Sequence, residues 1–155
     1  MKKILMVCLG NICRSPMAEG ILKHKLENAG VKAIVDSAGT SAWHAGEAPD
    51  HRAVQECRKN GVDISKQRSR PFTAEDLDNF DLIFAMDQEN YQNIMQKVTN
   101  DEQAKRVHLI MNTVSPDRNM PVPDPYYGGP QGFTNVFRLL EQASDKIVEQ
   151  YFPQG

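Results

Sequence analysis

Short apolar runs alternate along this chain with stretches in which apolar residues recur at three- and four-residue spacing, the pattern of strands and helices laid down in turn. The runs predict strands at Lys3 to Val7, Ala33 to Asp36, Leu82 to Ala85 and Val107 to Ile110. Between them the helices carry punctuation. One begins at Pro16, another follows Asp50 over 51–60 and is closed by Gly61, and a third follows Asp87 over 88–98. Thr73-x-x-Asp76 has the form of a capping box. The last helix is the clearest. Phe133, Val136, Phe137, Leu140, Ser144, Ile147, Val148 and Tyr151 form one stripe with a single small polar member, so this face packs on the sheet and implies no cofactor.

Repeated strand–helix units of this kind build an α/β fold: a single three-layer domain over residues 1–155, with a four-stranded parallel sheet flanked by helices. Two stretches remain as loops, Gly39 to Pro49 with the only tryptophan and the proline-rich segment Asn112 to Gly132. Ligands of open parallel sheets sit beyond the carboxyl ends of the strands, where both loops can wall a site.

Size and charge narrow the classes. A chain of 155 residues with 40% hydrophobic content buries a core without staples. The net charge of -2 argues against nucleic acid and anionic membrane as partners, so any anion selectivity is local. Met1-Lys2-Lys3 and the apolar run after it are too short for a signal peptide or a membrane span, and a cytoplasmic protein is expected. Three cysteines, an odd number, describe no disulfide framework. The four histidines are scattered and no second Cys/His cluster follows Cys8 and Cys13, so neither a metal nor another cofactor is expected. Cys57 reads as a core thiol.

Candidate chemistry concentrates between the first strand and the first helix, in Cys8-Leu9-Gly10-Asn11-Ile12-Cys13-Arg14-Ser15-Pro16. A short loop there can turn several backbone N–H groups inward at the positive end of a helix, forming a nest for a tetrahedral oxyanion. Arg14 adds a planar fork that grips two phosphate oxygens. The same positive field favours a thiolate nucleophile at Cys8. Gly10 and Asn11 are the residues best able to take a positive φ, Ser15 can cap the helix or hydrogen-bond the thiolate, and Pro16 suits a first helical turn. The nucleotide-binding pattern G-x-x-x-x-G-K-[ST] is absent. A thiolate displacing a phosphate ester also needs a general acid for the leaving oxygen, and Asp124 between Pro123 and Pro125 is the candidate.

These residues resemble the low-molecular-weight protein tyrosine phosphatases, whose signature C-x5-R-[ST]-P is read here from Cys8 to Pro16. The likeness extends through Asp36-Ser37-Ala38-Gly39-Thr40, Trp43, Pro49-Asp50-x-Arg52-Ala53, Ala85-Met86-Asp87 and Asp124-Pro125-Tyr126-Tyr127. It implies hydrolysis of phosphotyrosine through a cysteinyl phosphate, with Cys8 as nucleophile, Arg14 as phosphate clamp and Asp124 as general acid and then base. Residues Leu9 to Ser15 would bind the phosphate, with Leu9, Ile12, Trp43, His44, Tyr126 and Tyr127 at the rim. Phosphoarginine phosphatases of the same superfamily tend to carry Thr at the place of Ile12, so the aliphatic residue leans towards phosphotyrosine. Ser37 would brace Asn11; where many relatives add a histidine to that network, the nearest match here is Gln67. Cys13 would serve as a resolving cysteine for oxidised Cys8. The resemblance further implies tyrosine-phosphorylated protein substrates, a tyrosine kinase among them, and a monomer.

Two other readings compete. An arsenate reductase on this fold needs a relay of further cysteines, and Cys57 stands alone. A phosphate-binding module without turnover has no need for both an activated thiol and a distant acid.

Overall fold

The computed structural model describes residues 1–153, the side chain of Tyr127 excepted. In chain order the elements are β1 (Lys3–Cys8), α1 (Arg14–Asn28), β2 (Ile34–Gly39), α2 (His51–Lys59), α3 (Asp76–Asn79), β3 (Leu82–Ala85), α4 (Gln88–Met95), α5 (Asp101–Lys105), β4 (Val107–Leu109) and α6 (Gly129–Tyr151). The strands form one parallel sheet in the order β2-β1-β3-β4.

Both faces of this sheet are covered, which is why its central strands read as unbroken apolar runs. Ile4, Met6 and Cys8 of β1, with Leu82 and Phe84 of β3, join the core beneath α1, α2 and α6. Their neighbours Leu5, Val7, Ile83 and Ala85 face the other way, into the core with Leu77 and Ile94 of α3 and α4. The period-two alternation therefore sorts residues between two cores rather than between core and water. Cys8 is the last inward-facing residue of β1 on the α1 side, and the residue is 3% exposed. On α6 the predicted stripe is buried from Phe133 to Ile147, with Val148 and Tyr151 packed at its margin.

The predicted boundaries shift where polar residues obscure an element. β2 runs on to Gly39, because Asp36 at the sheet edge meets Arg70 at 3.1 Å and Ser37 turns inward towards α1. Helix α1 starts at Arg14 rather than Pro16, so Ser15 lies inside the first turn and does not cap it; Cys13 occupies the cap position without a side-chain bond. Pro16 costs little there, since first-turn N–H groups have no partner within a helix. Only half of the expected capping box forms: the Thr73 N–H donates to the Asp76 carboxylate at 2.9 Å, and a short helix follows. Helix α4 ends at Met95, with single turns carrying the chain to Val98. Helix α5, capped by Asn100, was too short to produce a periodic signal.

One feature of α1 bears on the site. Glu19 is 4% exposed; it accepts from Ser37 Oγ at 2.7 Å and from Lys23 Nζ at 2.6 Å. Burial raises its carboxyl above the ordinary value of 4.5, and the Lys23 and Ser37 bonds only partly offset that. The native state therefore holds this proton more tightly than the unfolded chain does, so the contribution of Glu19 is fully present below its unfolded value and is lost as pH rises through the folded one. Glu19→Gln has no such loss. In urea titrations from pH 4 to 7, stability of the variant relative to wild type should climb with pH; a difference that stays flat or falls would show that Lys23 and Ser37 outweigh burial.

Candidate active site

The β1–α1 loop is built by its carbonyls. Cys8 O accepts from Thr40 N, Leu9 O from Ser41 N, and Ile12 O from Asp50 N, at 2.9, 2.9 and 2.8 Å, while Gly10 O accepts from Ser69 Oγ at 3.1 Å. A trans peptide points its N–H opposite to its carbonyl. With four carbonyls tied outward, the N–H groups of Leu9, Gly10, Asn11 and Cys13 turn inward around the Cys8 thiol. For Asn11 the consequence is a direct bond, N to Cys8 Sγ at 3.3 Å.

Of the two residues expected to take a positive φ, Asn11 alone does so, at 57°. Gly10 instead leaves room for a close neighbour, since a Cβ there would press on the His44 ring at 3.1 Å. Gly39 likewise lets β2 approach the loop: a Cβ on it would meet Leu9 O at 2.8 Å. The Asn11 side chain locks the turn. Its Oδ1 accepts from Arg70 N at 3.1 Å, so Nδ2 faces the other way and donates to Ser15 Oγ at 2.8 Å and Ser37 Oγ at 3.0 Å. Ser37 Oγ donates to Glu19, and the hydroxyl of Ser15, already an acceptor, lies 3.0 Å from Cys8 Sγ and 3.5 Å from Ala38 O, so Cys8 Sγ is the nearer acceptor for its proton. From the Asn11 amide the polar network therefore runs two ways, through Ser15 to Cys8 Sγ and through Ser37 to Glu19. Gln67 lies outside it: its amide donates to Pro16 O at 3.1 Å, and its oxygen is buried without a partner among the described residues.

Arg14, 4% exposed, reaches from the first turn of α1 across the loop. Its Nη1 donates to Asp87 Oδ2 at 2.7 Å and to Val122 O at 3.0 Å, and its Nη2 lies 3.8 Å from Asp124 Oδ2. Burial works against the charge, but Cys8, Asp87 and Asp124 outweigh it and hold the guanidinium above its ordinary value. Asp87 was read from sequence as a helix cap and as part of the Ala85-Met86-Asp87 resemblance, with no role at the site. It does cap α4, through Asn90 N at 2.8 Å, and turns its second oxygen on Arg14. Its place immediately beyond β3, beside the point where strand order reverses, was the available signal. Ser69, Arg70 and Glu19, which hold the loop, gave no comparable one.

Above the loop lies a pocket of about 180 Å³. Cys8, Gly10, Cys13 and Arg14 form its floor; Leu9, Ile12, Ser41, Trp43, His44, Asp124 and Tyr126 form its walls. Trp43 is 83% exposed at the mouth, and His44 Nδ1 is 3.0 Å from Glu47. The side chain of Tyr127, predicted at the same rim, lies outside the described residues. A wider groove of about 550 Å³ between α2 and α6 carries no thiol. Cys13 has the opposite surroundings to Cys8: burial first, then the charges of Asp50, Cys8 and Asp124, push its thiol well above the ordinary range, with Arg52 opposing. Cys57, buried on α2, is pushed up to about 12 by burial and Glu56.

Known proteins share this arrangement. The sequence profile of the low molecular weight phosphotyrosine protein phosphatases matches residues 3–152. The chain is 42% identical over 150 residues to the low molecular weight phosphotyrosine protein phosphatase of Schizosaccharomyces pombe, covering 95% of each. Among solved structures it is similar to a protein tyrosine phosphatase from Entamoeba histolytica with Hepes in the active site, at 37% identity and a TM-score of 0.91 over 97% of both chains. A drosophila arginine phosphatase superposes with a TM-score of 0.90 at 30% identity over 100% of both chains. With the profile spanning nearly the whole length and the thiol, guanidinium and anion loop together beyond β1, the chain belongs to the low molecular weight phosphotyrosine protein phosphatase family, hydrolases of protein phosphotyrosine.

Proposed function

We propose that catalysis proceeds through a cysteinyl phosphate on Cys8, with Arg14 as phosphate clamp and Asp124 as the proton carrier. The observation that carries this reading is the convergence of the Asn11 N–H and the Ser15 hydroxyl on Cys8 Sγ, with Arg14 beside them and Asp124 on the pocket wall. Phosphate oxygens take the inward N–H groups and the guanidinium fork. Cys8 Sγ attacks phosphorus as the P–O bond to the aryl group breaks, and Asp124 protonates the departing oxygen. Asp124, now a carboxylate, takes a proton from the water that attacks phosphorus, and the S–P bond breaks. Ser15 donates to the returning thiolate, while Ser37 braces Asn11 and Gln67 supports the loop indirectly through Pro16 O.

Selectivity for phosphotyrosine rests on the walls rather than the fold, since the drosophila arginine phosphatase has nearly the same backbone. Ile12, half-buried and packed on the core, gives the pocket an apolar side; Trp43, Tyr126 and Leu9 offer exposed apolar surface to a phenyl ring. Tyr127 and His44 complete the proposed rim. By family resemblance the substrates include a tyrosine kinase, and the enzyme acts as a monomer in the cytoplasm, as a single domain over 1–155. Three free cysteines suit a reducing compartment.

Phosphotyrosine, phosphoserine and phosphoarginine peptides assayed in parallel should show hydrolysis of the first with or without EDTA, and none by Cys8→Ser. Arg14→Lys should lose about 10²-fold or more in kcat, because an ammonium cannot reproduce the bidentate grip. Activity in Cys8→Ser, loss with EDTA, or a preference for phosphoarginine would each overturn part of the reading.

Asp124→Asn should lose about 10²- to 10⁴-fold in kcat/KM on aryl phosphates with high-pKa phenols, and far less on activated ones that leave without a proton. An equal loss across the leaving-group series would reassign Asp124 to structure.

Peroxide would oxidise Cys8 to the sulfenic acid, and Cys13 would condense with it, releasing water and forming a disulfide. Because Cys13 is held in its neutral form, trapping should accelerate as pH rises. Wild type should recover with thiol reductant and Cys13→Ala should recover poorly; full recovery of Cys13→Ala, with no Cys8–Cys13 linkage in peptide maps of the oxidised enzyme, would exclude the role.

A further inference from the structure

Asp124 sits on a proline-rich loop outside the sheet and the long helices, yet its carboxylate must meet the leaving oxygen within hydrogen-bond reach. Two residues before it the loop is anchored well: Val122 is fully buried, its N–H donates to Met86 O at 2.8 Å, and its carbonyl accepts from Arg14. Two residues after it stands Tyr126, 43% exposed, whose N–H donates to Asp124 Oδ1 at 3.0 Å. What holds Tyr126 therefore helps to aim the carboxylate.

Arg52, on the first turn of α2, makes that contact in two ways. Its Nη1 donates to Tyr126 O at 3.3 Å, and its guanidinium carbon lies 5.1 Å from the centroid of the Tyr126 ring. On the other side the guanidinium lies 4.9 Å from the Phe133 ring of α6. The fork itself is fixed by Asp50: Nε and Nη2 donate to its two oxygens at 3.0 and 2.9 Å, and the same carboxylate caps α2 through Arg52 N at 2.8 Å. Asp50 is in turn fastened to the phosphate loop, its N–H donating to Ile12 O at 2.8 Å. A continuous path of direct contacts runs from the nucleophile's loop through Asp50 and Arg52 to Tyr126 and Asp124. Arg52 is absent from the pocket lining, whereas Arg14, the other arginine touching this loop, is consumed by the phosphate.

We infer that Arg52 is a positioning residue for proton transfer: it sets the distance between the acid loop and the phosphate loop by clamping Tyr126 to Asp50. The inference rests on the assignment of Asp124 as general acid. A lysine at this position keeps the charge and can lie over an aromatic ring, but it cannot bond both Asp50 oxygens and Tyr126 O at once.

The test is kcat/KM over a series of aryl phosphates of rising phenol pKa, a parameter that ends with departure of the phenol and excludes hydrolysis of the cysteinyl phosphate. Arg52→Ala should lose about 10- to 10²-fold on the least activated esters, as misplacement of about 1 Å does, and only a few-fold on p-nitrophenyl phosphate. The rate of Cys8 alkylation by iodoacetate should be unchanged, which a general disturbance of the site would not allow. Arg52→Lys should show the same leaving-group dependence at smaller amplitude, and it carries the test if the alanine variant does not fold. Asp124→Asn, run alongside, separates the two claims. If that variant lacks leaving-group dependence, the acid assignment fails and this inference with it. If Asp124→Asn shows the dependence while both Arg52 variants lose activity equally across the series, or not at all, the positioning role alone is overturned.

Discussion

Everything at this site depends on the outward anchoring of the β1–α1 loop's carbonyls. Free peptides would turn those groups in either direction, and one carbonyl facing the pocket would repel an anion as strongly as an N–H attracts it. Four residues from three separate segments prevent that: Thr40 and Ser41 after β2, Asp50 before α2, and Ser69 before Pro71. Asn11 adds the one left-handed residue of the loop and pins it through Arg70 N, Ser15 and Ser37. Electrostatic preorganisation is thereby produced by hydrogen bonds that never touch the substrate.

A second constraint follows from the first. A loop lined with N–H groups and a buried guanidinium is strongly positive, and a buried cation needs compensation. Asp87 provides it at 2.7 Å, deep in the site, and Asp124 lies farther off at 3.8 Å. That inequality is useful. Asp87 is tied to the start of α4 by its other oxygen, whereas Asp124 has a side chain 39% exposed and faces the pocket. One carboxylate is tied both to Arg14 and to α4, while the other stays on the pocket wall, held by the Tyr126 N–H.

Sequence reading recovered what is local and what is periodic. The central strands were legible because burial on both faces makes them uniformly apolar, and α6 because its stripe runs from Phe133 to Tyr151, about five turns. The loop was legible because thiol, glycine, asparagine, arginine, serine and proline stand next to one another. What escaped it acts at a distance. Asp87, Arg70 and Ser69 meet the loop across separations of 73, 59 and 59 residues, Glu19 reaches it only through Ser37, and none differs in type from an ordinary surface residue. The reading of Gln67 shows the reverse failure. Registration against a family pattern placed it in the Asn11 network, but the backbone brings Arg70 N there and leaves the Gln67 amide on Pro16 O.

The two thiols of the loop show how much of this chemistry is orientation rather than composition. Cys8 ends a strand and faces the concave side, where the Asn11 N–H and the Ser15 hydroxyl approach it. Cys13 caps α1 on the same pocket floor, yet it is governed by burial and by the carboxylates of Asp50 and Asp124, which oppose a second negative charge. Those carboxylates have other contacts, one holding Arg52 and the other lining the pocket. Burial comes first in keeping Cys13 neutral and the carboxylates of Asp50 and Asp124 add to it, so altering either carboxylate acts on Cys13 as well as on the contacts that carboxylate makes.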